Sequence, residues 1–258
     1  GMKYSTLLVC FNRPLQRYLA SELEGLPVRV ETFHSLVESE AKQAEIHLYP
    51  EQYESGAAQV LREAAQRNGS RYDAIIIDEG QDFAQEWLDV LQNVLLEQEG
   101  YFYLFADPRQ NIYRECWKIP EKGPALCNLT VNCRNTLPIA RQVAALLGQA
   151  SASKGAQGPA PVFKVVSSNE EFLCQVTDMV AHLTSEGIQP RQMVILSNAA
   201  WVREELKNKT TDYAFTTLYD KIYKKIPVSK IVVDTIHRGK GLEWDAVILA
   251  LDGSRAEG

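Results

Sequence analysis

Two adjacent carboxylates, Asp78 and Glu79, follow the apolar run Ile75-Ile76-Ile77 and lead into Gly80, Gln81 and Asp82. A buried parallel strand delivers its last residues to the carboxyl edge of an α/β sheet, the edge at which such sheets bind ligands. There one carboxylate can hold Mg²⁺ through its water shell, while its neighbour orients and deprotonates a water attacking a γ-phosphate. The same residues suit a plainer role as an acidic turn capping the next helix, since short acidic strings recur by chance. A second strand end, Phe105-Ala106-Asp107-Pro108-Arg109-Gln110, continues through Asn111 and Ile112 to Tyr113. It comes about 30 residues later, within the length of one βα unit. Gln110 could sense a γ-phosphate. Taken singly, Asp107-Pro108 is an ordinary turn and Tyr113 an ordinary core or interface aromatic.

The elements that must position these groups alternate between short β-branched or aromatic runs and longer amphipathic stretches, the pattern of a parallel α/β sheet. Strands are expected at Thr6 to Phe11, Val28 to Phe33, Ala74 to Asp78 and Tyr101 to Phe105, with helices at Pro14 to Leu23, Glu51 to Gln66 and Gln85 to Glu97. Further along, strands are expected at Val162 to Val166, Met193 to Ser197, Ile231 to Thr235 and Ala246 to Leu251, and helices at Glu170 to Glu186 and Trp201 to Asn208. The small, polar, Pro/Gly-rich stretch from Ser151 to Pro161 reads as a surface loop. A lobe boundary is expected near Gly123-Pro124, dividing the chain into residues 1–124 and 125–258.

At 258 residues, 45% hydrophobic and 23% charged, the chain can bury a sizeable core and has neither a disordered nor a fibrous composition. A net charge of -6 argues against a surface that is basic all over, as a wrapper of nucleic acid would have. A local basic cleft could still form from Lys221, Lys224 and Lys225 or from Arg238 and Lys240, although short charge runs usually mark a solvated face. The five cysteines, Cys10, Cys116, Cys127, Cys133 and Cys174, are odd in number and have no C-x-x-C spacing for zinc or thiol redox chemistry, which fits a reducing, cytoplasmic setting. No apolar run reaches the roughly 20 residues of a membrane span, and there is no signal-peptide layout. Gly1 ahead of Met2 reads as a remnant of tag cleavage.

Taken in order, the two strand ends and their neighbours resemble the motifs of superfamily 1 DNA helicases of the UvrD/Rep type. Ile75 to Phe83 resembles motif II and Phe105 to Tyr113 motif III. Cys10 to Arg13 is similar to motif Ia, Thr32 to Leu36 to the motif that follows it, Leu129 to Thr136 to motif IV, and Thr235 to Glu243 to motif V. The resemblance implies a P-loop NTPase-type fold of two RecA-like lobes with parallel sheets, ATP and Mg²⁺ between them, and single-stranded DNA across the top. It implies that Asp78 holds Mg²⁺, that Glu79 is the catalytic base, that Gln110 contacts the γ-phosphate, that Arg134 acts as an arginine finger and that Glu243 helps bind the nucleotide. For DNA it points to Phe11, Asn12, Thr32, His34, Tyr113 and His237. Aromatic stacking with polar groups along the phosphates is what a sequence-indifferent motor needs. For His34 and His237 alone, a structural histidine is the ordinary reading.

The chain also departs from that pattern. It contains no G-x-x-x-x-G-K-[ST] loop to grip the phosphates, so the first lobe is expected to be truncated at its N-terminus. The family's motif VI is also absent. In the motif IV match, Cys133 stands where the family usually has an aromatic. About 100 residues separate Arg134 from Thr235, too few for a large accessory subdomain in addition to a lobe. The expectation is therefore a helicase-core fragment, inactive on its own. A catalytically incomplete single-stranded DNA-binding scaffold is the alternative, and a metal-dependent nuclease or phosphatase a third reading that leaves the motif V match unexplained.

Overall fold

A computed structural model describes residues 4–110, 126–148, 152–208, 213–219 and 226–253. The first strand, β1 (Thr6–Cys10), is buried from Leu7 onward, as a strand covered on both faces requires. It leads into α1 (Arg13–Glu22), where the Asn12 side chain accepts a hydrogen bond from the Leu15 N–H and Pro14 occupies the first turn, a position that needs no N–H. After β2 (Val28–Thr32), Thr32 and Ser35 cap α2 (Phe33–Gln43) reciprocally. The helix expected over Glu51 to Gln66 is two, α3 (Gln52–Ser55) and α4 (Ala57–Asn68), divided at Gly56, a residue with high backbone entropy in a helix. Next come β3 (Tyr72–Ile77) and α5 (Gln85–Val90), which widens over Leu91–Leu95 before β4 (Leu96–Leu104). The helix expected to reach Glu97 stops short because Leu96 pairs with Tyr72. The register then shifts, so that Ala74 pairs with Tyr101.

These four strands form one parallel sheet in the order β2-β1-β3-β4. The chain builds outward one way from β1 and the other way from β3, so the carboxyl ends of β1 and β3 flank the switch point at which such a sheet opens a crevice. Beneath it, Phe33, Leu36, Leu61, Ile75, Ile77 and Leu91 are all within a few per cent of full burial. Polar cross-bracing comes from Glu40, whose side chain is 1% exposed and accepts hydrogen bonds from Arg29 Nη1 (2.9 Å), Asn68 Nδ2 (3.0 Å) and Ser70 Oγ (2.6 Å). Burial pushes this carboxyl up, but Ser70, Asn68 and the Arg29 guanidinium outweigh it and hold Glu40 below its usual range.

The chain divides into two compact units, Gly1–Lys118 with Val176–Gly258, and Ile119–Gln175. The expected boundary at Gly123-Pro124 lies outside the described residues. In the smaller unit, β5 (Val131–Asn132) pairs in parallel with β6 (Ala152–Ser153), and α6 (Leu137–Leu147) lies between them in the chain. The strand expected over residues 162–166 does not form, and Val162, Phe163 and Val165 are exposed. Strand preference of this kind is realised only against a neighbouring strand and a buried face.

Crossing the division, α7 (Asn169–Ser185) precedes β7 (Met193–Ser197), α8 (Ala200–Asn208), β8 (Ala214–Thr216), β9 (Lys230–Thr235), α9 (Ile236–Gly239) and β10 (Ala246–Ala250). A second parallel sheet results, in the order β10-β7-β9-β8. The architecture is therefore α/β with parallel sheets, and both large sheets fall in the larger unit. No helix among the described residues is long and apolar enough to cross a membrane.

Because the folded-state pKa of Glu40 is depressed, its stabilising contribution is complete above the unfolded-state value and disappears as pH falls through the folded-state value. Glu40→Gln should cost about 1–3 kcal/mol at neutral pH. Urea unfolding across about pH 7 to pH 3 should show a shallower acid loss in the variant than in the parent.

Candidate functional site

Asp78 leaves β3 beside the end of β1, its N–H donating to Val9 O at 3.0 Å. The carboxylate accepts from the Glu79 N–H at 3.0 Å. Glu79 itself has φ +55°, in the left-handed region. For a residue with a Cβ this conformation costs about 1–3 kcal/mol and persists only where neighbours impose it. The neighbours are identifiable. Gly80 N–H donates to Phe105 O at 2.8 Å, and a Cβ on Gly80 would run into the tip of the Leu104 side chain, so glycine lets the turn lie against the end of β4 without displacing it.

Gln81 is fully buried and divides its amide between the two strand ends. Its Nε2 donates to Glu79 Oε2 at 2.6 Å, and its Oε1 accepts from the Asp107 N–H at 3.0 Å. Asp107 in turn accepts from the Arg109 N–H and from Gln110 Nε2, each at 3.0 Å. Burial raises the Asp107 carboxyl, but these bonds and the Arg109 charge outweigh it and hold it below its usual range. One amide thus fixes the direction of the Glu79 carboxylate relative to the loop carrying Gln110.

Asp82, also fully buried, meets a cation from the far end of the sequence. Lys240 Nζ donates to Asp82 Oδ1 (2.8 Å) and Oδ2 (2.6 Å) and to Gln110 O (2.7 Å), and lies 3.6 Å from Glu79 Oε2. Its side chain is 7% exposed. The loop after α9 makes this reach by close backbone approach. Asn12 Nδ2 donates to Lys240 O at 3.0 Å, while Gly241, at φ +80°, passes so near α1 that a Cβ there would stand 2.7 Å from Leu15 Cδ2.

The residues expected to meet nucleic acid are placed in different settings. Phe11 and His34 join an aromatic cluster beside the carboxylate loop. Phe11 stacks toward Trp87 (6.5 Å), Phe33 lies flat on Trp87 (4.3 Å), and His34 sits edge-on to Trp87 (5.0 Å) with Nε2 3.1 Å from Tyr53 O. The Asn12 and Thr32 side chains serve as helix caps, and Thr32 is buried. His237 is exposed on α9, Glu243 is exposed in the stretch before β10, and Tyr113 lies outside the described residues. Arg134 belongs to the smaller unit, where it is exposed and its N–H donates to Asn132 Oδ1 at 3.1 Å. Lys221, Lys224 and Lys225 lie outside the described residues.

Three side chains carry more of this site than their sequence context suggests: Gln81, Asp82 and Lys240. For Lys240 the signal was its flanking pair, Gly239 and Gly241, since glycines on both sides of a charged residue allow a close backbone approach. Cys10, at the end of β1, is buried, and its thiol is pushed up by that burial and then by the Asp78, Glu31 and Glu79 carboxylates. Among the described residues no group of three or more His, Cys, Asp or Glu side chains is placed to hold a metal ion. Mg²⁺ asks for less, since a single carboxylate can suffice where water and phosphate oxygens complete its shell. Comparison with protein-family models and with curated proteins yields no match to this chain.

Lys240→Met leaves a fully buried carboxylate without its cation and should destabilise the fold by about 3–5 kcal/mol. Adding Asp82→Asn should recover a large part of that loss, and a double-mutant cycle in urea reads the coupling directly. Alkylation offers a second check. At neutral pH Cys10 should react with iodoacetamide far more slowly than the exposed Cys127, Cys133 and Cys174, by peptide mass mapping of the folded chain.

Proposed function

We propose that this chain is the core of an ATP-dependent DNA motor of the superfamily 1 helicase type, with nucleotide chemistry at the carboxyl edge of the first sheet. The observation that carries the reading is convergence. The acidic loop, the Gln110 loop and the Lys240 loop, the segments resembling motifs II, III and V, meet at one sheet edge although Lys240 is far from the others in sequence. Bound Mg²⁺ and ATP would supply the electrophilic phosphorus. Asp78 would hold the cation, and Glu79, oriented by Gln81 Nε2, would accept the proton of the attacking water. Gln110 would address the γ-phosphate, and Glu243 the nucleotide.

DNA, in single-stranded form, would run past Phe11, His34, Tyr113 and His237. Asn12 and Thr32 would contribute by shaping the loops that present their neighbours. The phosphate grip would come from a loop beyond these 258 residues. Exposed Tyr101 and Tyr103 on β4, an outer strand of its sheet, and Phe105 just after it are the kind of surface a further strand and helix would cover.

One observation favours the scaffold alternative. The Lys240 ammonium is committed to Asp82 and the Gln110 carbonyl and neighbours Glu79, a fixed structural ion pair that suits a nucleic-acid binder indifferent to ATP. The two readings separate by experiment. This chain alone should hydrolyse ATP negligibly, and DNA-stimulated turnover by it that Glu79→Gln abolishes would overturn that expectation. In a chain that also carries the phosphate loop, Glu79→Gln should retain ATP binding and lose turnover by about a hundredfold or more. Unchanged turnover there would remove Glu79 as the base.

A further inference from the structure

A line of hydrogen bonds runs from Glu79 to Gln110 through two side chains. Gln81 sits in the single turn Gly80–Asp82 that follows the acidic pair, and it is fully buried. Its amide spans the two strand ends, Nε2 donating to Glu79 Oε2 (2.6 Å) and Oε1 accepting from the Asp107 N–H (3.0 Å). Asp107 continues the line, its Oδ2 accepting from Gln110 Nε2 at 3.0 Å. The Gln110 carbonyl accepts in turn from Lys240 Nζ, which lies 3.6 Å from Glu79 Oε2, so that Glu79, Gln81, Asp107, Gln110 and Lys240 close into a ring.

Two features of this line exceed what the fold requires. Backbone bonds already join the strand ends, the Phe105 N–H donating to Ile77 O (2.9 Å) and the Gly80 N–H to Phe105 O (2.8 Å). Tying the ends together needs no buried amide, and burying one is costly unless both its polar ends are bonded. What the amide adds is a hold on a carboxylate whose side chain is still 19% exposed. The second feature is the state of Gln110, an exposed residue whose amide is bonded to Asp107. A γ-phosphate that draws Gln110 Nε2 to itself takes a donor from Asp107, and the Asp107 N–H is the group that anchors the Gln81 amide.

We propose that Gln81 is a positioning residue that, through Asp107, couples the contact of Gln110 with the γ-phosphate to the direction of the Glu79 carboxylate. The proposal rests on the ATPase reading above and adds a regulatory link within the same site. The base is thereby matched to an occupied phosphate position, and Gln81 acts on the reaction only through its two partners.

Steady-state ATPase kinetics with single-stranded DNA present, on the longer chain that also carries the phosphate loop, provide the measurement. Gln81→Met, close in size but with neither amide donor nor acceptor, should lower kcat by about tenfold to a hundredfold. KM for ATP should stay within about twofold of the parent, the pattern of an interaction made in the transition state. Gln81→Asn, which keeps the amide but is too short to span both partners, should show the same split. Because Gln81 and Gln110 act along one line, adding Gln110→Ala to Gln81→Met should cost less than about threefold beyond the larger single loss. Unchanged kcat in a folded Gln81 variant, a rise in KM alone, or single losses that multiply in the double variant would each overturn the proposal while the ATPase reading stands. Loss of cooperative melting in both Gln81 variants would overturn it as well, by making the amide a structural brace. If Glu79→Gln leaves turnover unchanged, or the longer chain has no turnover, the ATPase reading fails and the link fails with it.

Discussion

The ion pair between Lys240 and Asp82 is the contact on which the arrangement of the larger unit turns. Burying a carboxylate and an ammonium together is costly, and the cost is offset only when geometry is close and the remaining donors find acceptors. Here the ammonium reaches both Asp82 oxygens and the Gln110 carbonyl, and Glu79 lies just beyond hydrogen-bond distance. With the lysine in place Asp82 is sealed from solvent. The loop after α9 must therefore stay against the first sheet for the acidic loop to keep its shape. The Asn12 bond to the Lys240 carbonyl and the tight passage of Gly241 over Leu15 hold the same loop from the other side.

The left-handed backbone at Glu79 depends on that frame. Gly80 is pinned to the Phe105 carbonyl, Gln81 is bonded on both sides and Asp82 is ion-paired, so the following residues leave Glu79 little choice of conformation. Its carboxylate is correspondingly preoriented by one amide. Removing Gln81 would release both Glu79 and the start of the Gln110 loop, which makes this amide the shortest structural route between the two strand ends.

Both sheets use a buried carboxylate at the carboxyl edge to organise loops. Asp82 gathers the loops after β3, β4 and α9, and Asp234 gathers those after β8 and β9. In a parallel sheet all strand ends of one polarity emerge together, so a single charge there can serve several loops at once. Such a carboxylate also imposes order on its neighbours, half-buried Glu79 in one sheet and exposed Tyr219 in the other.

The alternation of strands and helices, hence the α/β class with parallel sheets, was legible in the sequence because apolar runs and 3.6-residue periodicity are local properties. Met193–Ser197 coincides with its expected span, and most other strands differ only at their ends. The carboxylates Asp78 and Glu79 stood out for the same reason, as charged residues directly after an apolar strand. Where local preference competed with pairing, tertiary structure decided: Leu96 joins β4 because Tyr72 is beside it, and residues 162–166 form no strand. Nothing local distinguishes the buried Lys240 from a solvated lysine. Its role arises from contacts between segments widely separated along the chain, and only folding chooses which charges meet.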